Sequence, residues 1–168
     1  MKPIKDTLNQ LTIKEKCDLG SGQDPWHTKA IPRLDVPSVL MHDGPNGLRK
    51  QPDTTDELGM HESVPATCFP TAAISACSFD RDLLWQVGAA LGNEALLQKI
   101  DIVLGPGVNI KRSPLCGRNF EYLSEDPVVA GELAAAYVQG MQSKGIGASL
   151  KHFAANSQEF WRNLFESF

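Results

Sequence analysis

The chain has 168 residues, 42% of them hydrophobic and 21% charged, with a formal net charge of −4. That is enough apolar material for one domain with a real core, and no basic stripe points to nucleic acid or an anionic membrane. No apolar run approaches the ~20 residues of a membrane span, and the opening MKPIKDTLNQL lacks the apolar centre of an export signal, so a cytoplasmic location is the default expectation.

Thr12 and Glu15 stand three residues apart, as in a capping box, so a short helix is expected to open there and stop near Gly20-Ser21-Gly22. Pro25, Pro32 and Pro37 argue against regular structure over 24–37. Residues 38–41 (SVLM) read as a buried strand running into the turn-rich loop HDGPNG, 42–47. Residues 50–66 are polar and irregular and read as a surface excursion. A long helix is predicted over 80–99, capped by Asp80, with Leu84, Val87, Leu91 and Ala95 on one face. Residues 102–105 (IVLG) read as a second strand, followed by a loop to Glu125. Asp126-Pro127 opens another helix, which carries Val129, Leu133, Ala136, Tyr137 and Met141 and ends at Lys144-Gly145. A third strand is predicted over 147–150, terminated by Lys151-His152.

The order is strand, helix, strand, helix, strand, which implies a parallel sheet covered by helices. A doubly wound sheet and a (β/α) barrel both fit, and both place sites at the C-terminal ends of strands. The four cysteines, Cys17, Cys68, Cys77 and Cys116, match no zinc spacing. They are read as reduced, mostly buried thiols. His27, His42, His61 and His152 are scattered, so neither a metal nor a cofactor is expected.

Three polar clusters fall at predicted strand ends. Asp43 is either an Asx-turn residue beside Gly44 or a carboxylate that accepts hydrogen bonds from hydroxyl groups. Arg118 lies in a loop, where arginine is usually solvated, but Asn119, Phe120, Glu121 and Tyr122 flank it and make a fixed network plausible. Its planar fork suits two adjacent hydroxyls or a carboxylate. Lys151 directly follows an apolar strand. It either snorkels to the sheet rim or, with His152, binds a ligand, because an unpaired buried ammonium is costly. Gly105-Pro106-Gly107 lacks the third glycine of a dinucleotide loop and reads as a tight turn. No nucleophile can be argued from the residues.

These segments carry a resemblance. HDGPNGLR (42–49), ATCFP (66–70), LGPGVNIKRSPLCGRNFEYLSEDP (104–127) and KHFAANSQE (151–159) are similar to signatures of the N-terminal barrel domain of family 3 glycoside hydrolases, the β-glucosidase-like enzymes. The resemblance covers residues 1–162, leaving 163–168 (NLFESF) as a non-matching tail. It implies an α/β fold of (β/α) TIM-barrel type. It also implies a retaining mechanism with two carboxylates acting on a small-molecule glycoside. Asp43, Arg118, Lys151, His152 and Arg162 fall at the positions that grip the sugar. KHFAANSQE lacks the second histidine typical of members that cleave N-acetylglucosamine. Terminal β-D-glucosides are therefore the expected substrates, with β-xylosides next.

The family's nucleophile and acid/base belong to motifs this sequence does not contain, so no catalytic residue is assigned here. The expectation is a partial, open barrel, inactive alone, as a premature stop or frameshift would leave it. The alternatives are a non-catalytic sugar-binding remnant and one half of a split enzyme completed by a separate C-terminal chain. An open barrel would leave the strand at Leu150 as a free edge and the barrel-side face of the sheet bare, which favours association.

Overall fold

A computed structural model describes residues 4–51 and 63–159. Part of the polar stretch 50–66, Arg162 and the tail 163–168 lie outside the described residues. Three short strands, β1 (Met41–Asp43), β2 (Ile102–Leu104) and β3 (Gly147–Ala148), form a parallel sheet in the order β1-β2-β3. Met41 pairs with Ile102 and Ile102 with Gly147. Parallel neighbours need a crossover, usually helical. Here α4 (Arg81–Leu97) lies between β1 and β2, and α5 (Pro127–Gln142) between β2 and β3.

Both long helices begin where the sequence predicts. The Asp80 carboxylate accepts from the Leu83 N–H at 3.0 Å. That of Asp126 accepts from Val128 and Val129 at 2.7 and 3.0 Å, ahead of Pro127. Each cap satisfies amides that have no partner within the helix and contributes about 1 kcal/mol. Leu84, Leu91 and Ala95 of α4, Leu133, Tyr137 and Met141 of α5, and Val103 of β2 share one core with Ile100 and Ile146. The Thr12–Glu15 capping box forms as expected and opens α2 (Ile13–Ser21).

Several expectations need correction. The first strand is not 38–41 but Met41–Asp43. The backbone before it is already engaged, since Thr28 N–H donates to the Val39 carbonyl at 3.0 Å and Leu40 N–H to the Asp101 carboxylate at 2.8 Å. The third strand is only Gly147–Ala148. Beyond it Lys151 bridges to Gly107, with its N–H on the Pro106 carbonyl at 3.1 Å. The proline-rich stretch holds a 3-10 turn, Pro32–Leu34, with proline in its first turn. Ile31 and Leu34 join Leu11 in a second small core. The first helix, α1 (Ile4–Gln10), went unread although Ile4 and Leu8 stand four residues apart, and it buries no residue. The five-residue α3 (Ala72–Ala76) is too short to show an apolar pattern.

The cysteines are free, but Cys17, Cys68 and Cys77 are exposed and only Cys116 is buried. Met41, Ile102 and Leu104, alternating with Val103 and so on the opposite face of the sheet, are half-buried rather than bare. Leu150, just past β3, is exposed, as are Phe79, Leu96, Leu97, Leu115 and Phe153 among others.

Two glycines set the spacing of the helix pair. A Cβ on Gly88 would lie 2.1 Å from the Tyr137 carbonyl oxygen, and one on Gly140 would lie 2.1 Å from that of Trp85. The backbones of α4 and α5 therefore touch at two points, at each of which one of the helices carries a glycine. Gly131, also in α5, meets nothing within 4 Å. Gly140→Ala is expected to lower stability in urea denaturation by about 1–3 kcal/mol, against the helix-propensity gain. Gly131→Ala should raise stability by up to about 1 kcal/mol. Equal effects at the two positions would show that the close crossing is not what holds the pair.

Candidate functional site

The loop after β2 folds back over the C-terminal end of the sheet. Its 3-10 turn, Asn119–Glu121, buries Glu121 and directs Tyr122 inward, fully buried. Lys151 and His152 arrive from the end of β3, and Asp43 closes β1. Sequence segments more than a hundred residues apart thus meet at one end of three strands, where the sequence placed them.

The geometry centres on Glu121. Its Oε1 accepts a hydrogen bond from Arg118 Nε. Its Oε2 lies 3.4 Å from Lys151 Nζ, which is also 3.4 Å from Asp43 Oδ1. Arg118 Nη2 points at His152 Nε2, 2.7 Å away. On the other side of the imidazole, Nδ1 lies 2.9 Å from the Tyr122 hydroxyl and 3.3 Å from Asn109 Oδ1, and that same Oδ1 accepts the His152 backbone N–H at 2.8 Å. Asn156 Nδ2 donates to the Tyr122 hydroxyl at 2.8 Å and to Glu159 Oε1 at 3.0 Å, and Glu159 lies 4.0 Å from Arg118 Nη1.

Asp43, Arg118, Lys151 and His152, the four expected residues within the described part, are brought together. Arg118 and His152 touch directly, as do Lys151 and Asp43. Asn119, counted with the cluster in the sequence, instead donates to the Ser113 carbonyl at 2.7 Å and braces its own loop. Asn109, Asn156 and Glu159 were not singled out. The only signal for Asn109 was its place just after the second strand, in GPGVN. Among the described residues, no group of His, Cys, Asp and Glu side chains is arranged to hold a metal ion.

The electrostatics follow from the two cations. Burial pushes the Glu121 carboxyl up, but the Arg118 hydrogen bond and the Lys151 charge outweigh it and hold the group below its usual 4.5. Burial also works against the Arg118 charge, and the Glu121 contact more than restores it. Glu121 is therefore an ionised acceptor that fixes two cations, not a proton donor.

A carboxyl with a lowered folded pKa binds fewer protons folded than unfolded. Its contribution to stability is complete above about pH 4.5 and fades as the pH falls through the lowered folded value. Glu121→Gln is thus expected to cost more stability at pH 7 than at pH 3 in urea denaturation. An equal cost at both would mean that the carboxylate is not held ionised by its neighbours.

The sequence matches the glycosyl hydrolase family 3 N-terminal domain over residues 38–159. A thermostable β-glucosidase B from Acetivibrio thermocellus is 58% identical over 95% of this chain and 21% of its own length. An exo-α-(1→6)-L-arabinopyranosidase from Bifidobacterium longum is 50% identical over 91% of this chain and 20% of its own. The chain spans about a fifth of the length of these relatives. Among solved structures, β-glucosidase 3B from Thermotoga neapolitana, in complex with α-D-glucose, superimposes with a TM-score of 0.81 at 40% identity, covering 93% of this chain and 24% of that one. The β-glucosidase from Kluyveromyces marxianus, also solved with glucose, gives 0.84 at 41%, covering 94% and 18%. With this α/β fold and a match over most of its sequence, the chain belongs to glycosyl hydrolase family 3, whose members are glycosidases.

Proposed function

We propose that the chain carries the sugar-gripping side of the cleavage subsite of a retaining β-glucosidase-type hydrolase. The observation that carries the reading is the convergence of Asp43, Arg118, Lys151 and His152 at one end of the parallel sheet. Together they offer an acceptor and several donors to neighbouring hydroxyls. Lys151 Nζ stands 3.4 Å from each of two carboxylates, longer than a charge-assisted hydrogen bond. A hydroxyl inserted there improves the contacts of both Lys151 and Asp43. Arg162 falls at the motif position of a further sugar-side arginine.

The three strands read as part of a (β/α) barrel. What supports this reading is the resemblance to the family's barrel domain, because an unreversed run of three strands also occurs in one half of a doubly wound sheet. Turnover in the whole enzyme requires a nucleophile and a proton donor about 5–5.5 Å apart. Glu121 is not suited to donate, since Arg118 and Lys151 hold it ionised, and neither it nor Asp43 has an assigned partner carboxylate at that separation. The chain alone is therefore read as inactive. Terminal β-D-glucosides are the substrate class for the whole enzyme, on the strength of the β-glucosidase relatives. The arabinopyranosidase relative, 50% identical, favours a five-carbon pyranoside as the second reading, because the same wall then serves sugars differing at the position that carries a glucoside's exocyclic carbon.

Purified chain given an aryl β-glucoside should show no turnover above background. Turnover lost in Asp43→Ala would mean that the cluster supplies its own catalytic carboxylate. Calorimetry with glucose should show no binding tighter than about millimolar, since a one-sided subsite leaves the sugar solvated. The weak shifts that glucose causes in NMR spectra should fall on Arg118, Lys151 and His152 and vanish in Arg118→Ala. Micromolar affinity would favour a sugar-binding module. Shifts elsewhere, or none, would remove this reading.

A further inference from the structure

The His152 ring sits between neighbours of opposite hydrogen-bonding kind. A guanidinium has donors and no lone pair, so Nε2, 2.7 Å from Arg118 Nη2, can only accept. Asn109 Oδ1 is identified as oxygen because it takes the His152 backbone N–H at 2.8 Å, and it faces Nδ1 at 3.3 Å. Nδ1 must therefore carry the proton. The Tyr122 hydroxyl, 2.9 Å from Nδ1, takes the better-placed share of that hydrogen, while Asn156 Nδ2 donates to the same oxygen at 2.8 Å.

We propose that Tyr122 and Asn109 are positioning residues that hold His152 in its Nδ1–H form, so that the Nε2 lone pair orients the Arg118 guanidinium. A ring with the proton on Nε2 would set two donors against each other and push the arginine away. Arg118 would then keep Glu121 but lose its second anchor, and its outward donors would no longer be aimed.

The arrangement is built into the fold. Tyr122 has no exposed surface. Its ring fits because residue 107 is glycine, where a Cβ would lie 2.9 Å from Tyr122 Cδ1 and 2.9 Å from the Glu121 carbonyl oxygen. The second glycine of Gly105-Pro106-Gly107 thus makes room for the phenol ring. That Arg118, held by His152, acts on a sugar rests on the function proposed above; the protonation pattern of the ring does not.

The test uses the 15N-labelled 168-residue chain at neutral pH, with long-range 1H–15N correlation of the imidazole nitrogens and His152→Gln to identify the signals. The expected spectrum has a protonated Nδ1 and a bare Nε2 at His152. In Tyr122→Phe and in Asn109→Leu the two nitrogen signals should move toward each other as the tautomers mix. In Asn109→Asp, which keeps the acceptor, they should stay apart. A merely structural role would lower the melting temperature of the variants without moving these signals. A proton on Nε2 in the unmodified chain overturns the proposal, and so do unmoved ring signals in both disruptive variants. If the ring behaves as expected while glucose shifts none of these residues, the sugar reading fails and the positioning of His152 stands.

Discussion

The site is organised around one buried carboxylate facing two cations. Lys151 Nζ lies 3.4 Å from Glu121 Oε2, worth about 5 kcal/mol at an effective dielectric of about 20. Burying the ions costs several kcal/mol each. The Arg118 contact on the other oxygen tips the balance, which is why the carboxyl stays ionised although it is buried. Such a cluster adds little net stability. Its consequence is geometric. Arg118 and Lys151 are long side chains with much rotamer freedom, and a shared anchor removes that freedom before any ligand arrives. The remaining donors of both cations are then presented in fixed directions, as the proposed grip on several hydroxyls requires.

That anchor depends on the sheet and on what lies beneath it. Glu121 comes from the loop after β2, Lys151 from the end of β3 and Asp43 from the end of β1. Their separations are set by strand spacing and register. The register in turn depends on the helices behind it, because Val103, at the centre of the sheet, packs in the same core as α4 and α5. The two helices approach closely enough that Gly88 and Gly140 leave no room for a side chain. Tyr137 of α5 also donates from its hydroxyl to the Pro45 carbonyl at 2.6 Å, tying the helix layer to the loop just past Asp43. The packing that stabilises the domain is therefore the same packing that sets the site's distances.

The similarity to both a β-glucosidase and an arabinopyranosidase fits this division of labour. The cluster offers generic hydroxyl chemistry on a rigid frame. Fine discrimination between pyranosides needs contacts that differ from one enzyme to the next, and a cluster centred on two cations and a shared carboxylate does not itself distinguish them.

Local chemistry determined much of this protein. Asp80 and Asp126 announced two helix starts, because a cap is a contact between residues two or three apart. The spacing of Leu84, Leu91 and Ala95 gave the buried face of α4 for the same reason. The strand-end position of Lys151 marked it as a candidate, because an ammonium after an apolar run must find a partner. Tertiary structure decided which partner. Glu121 lies 30 residues away from Lys151 and Asp43 lies 108, and no local pattern encodes such pairings. Only the assembled sheet also moved the first strand to Met41–Asp43, by giving the backbone of Val39 and Leu40 to Thr28 and Asp101. The role of Asn109 was invisible for the same reason. An asparagine after a strand is an ordinary turn residue until the fold brings a histidine from another strand end onto its oxygen.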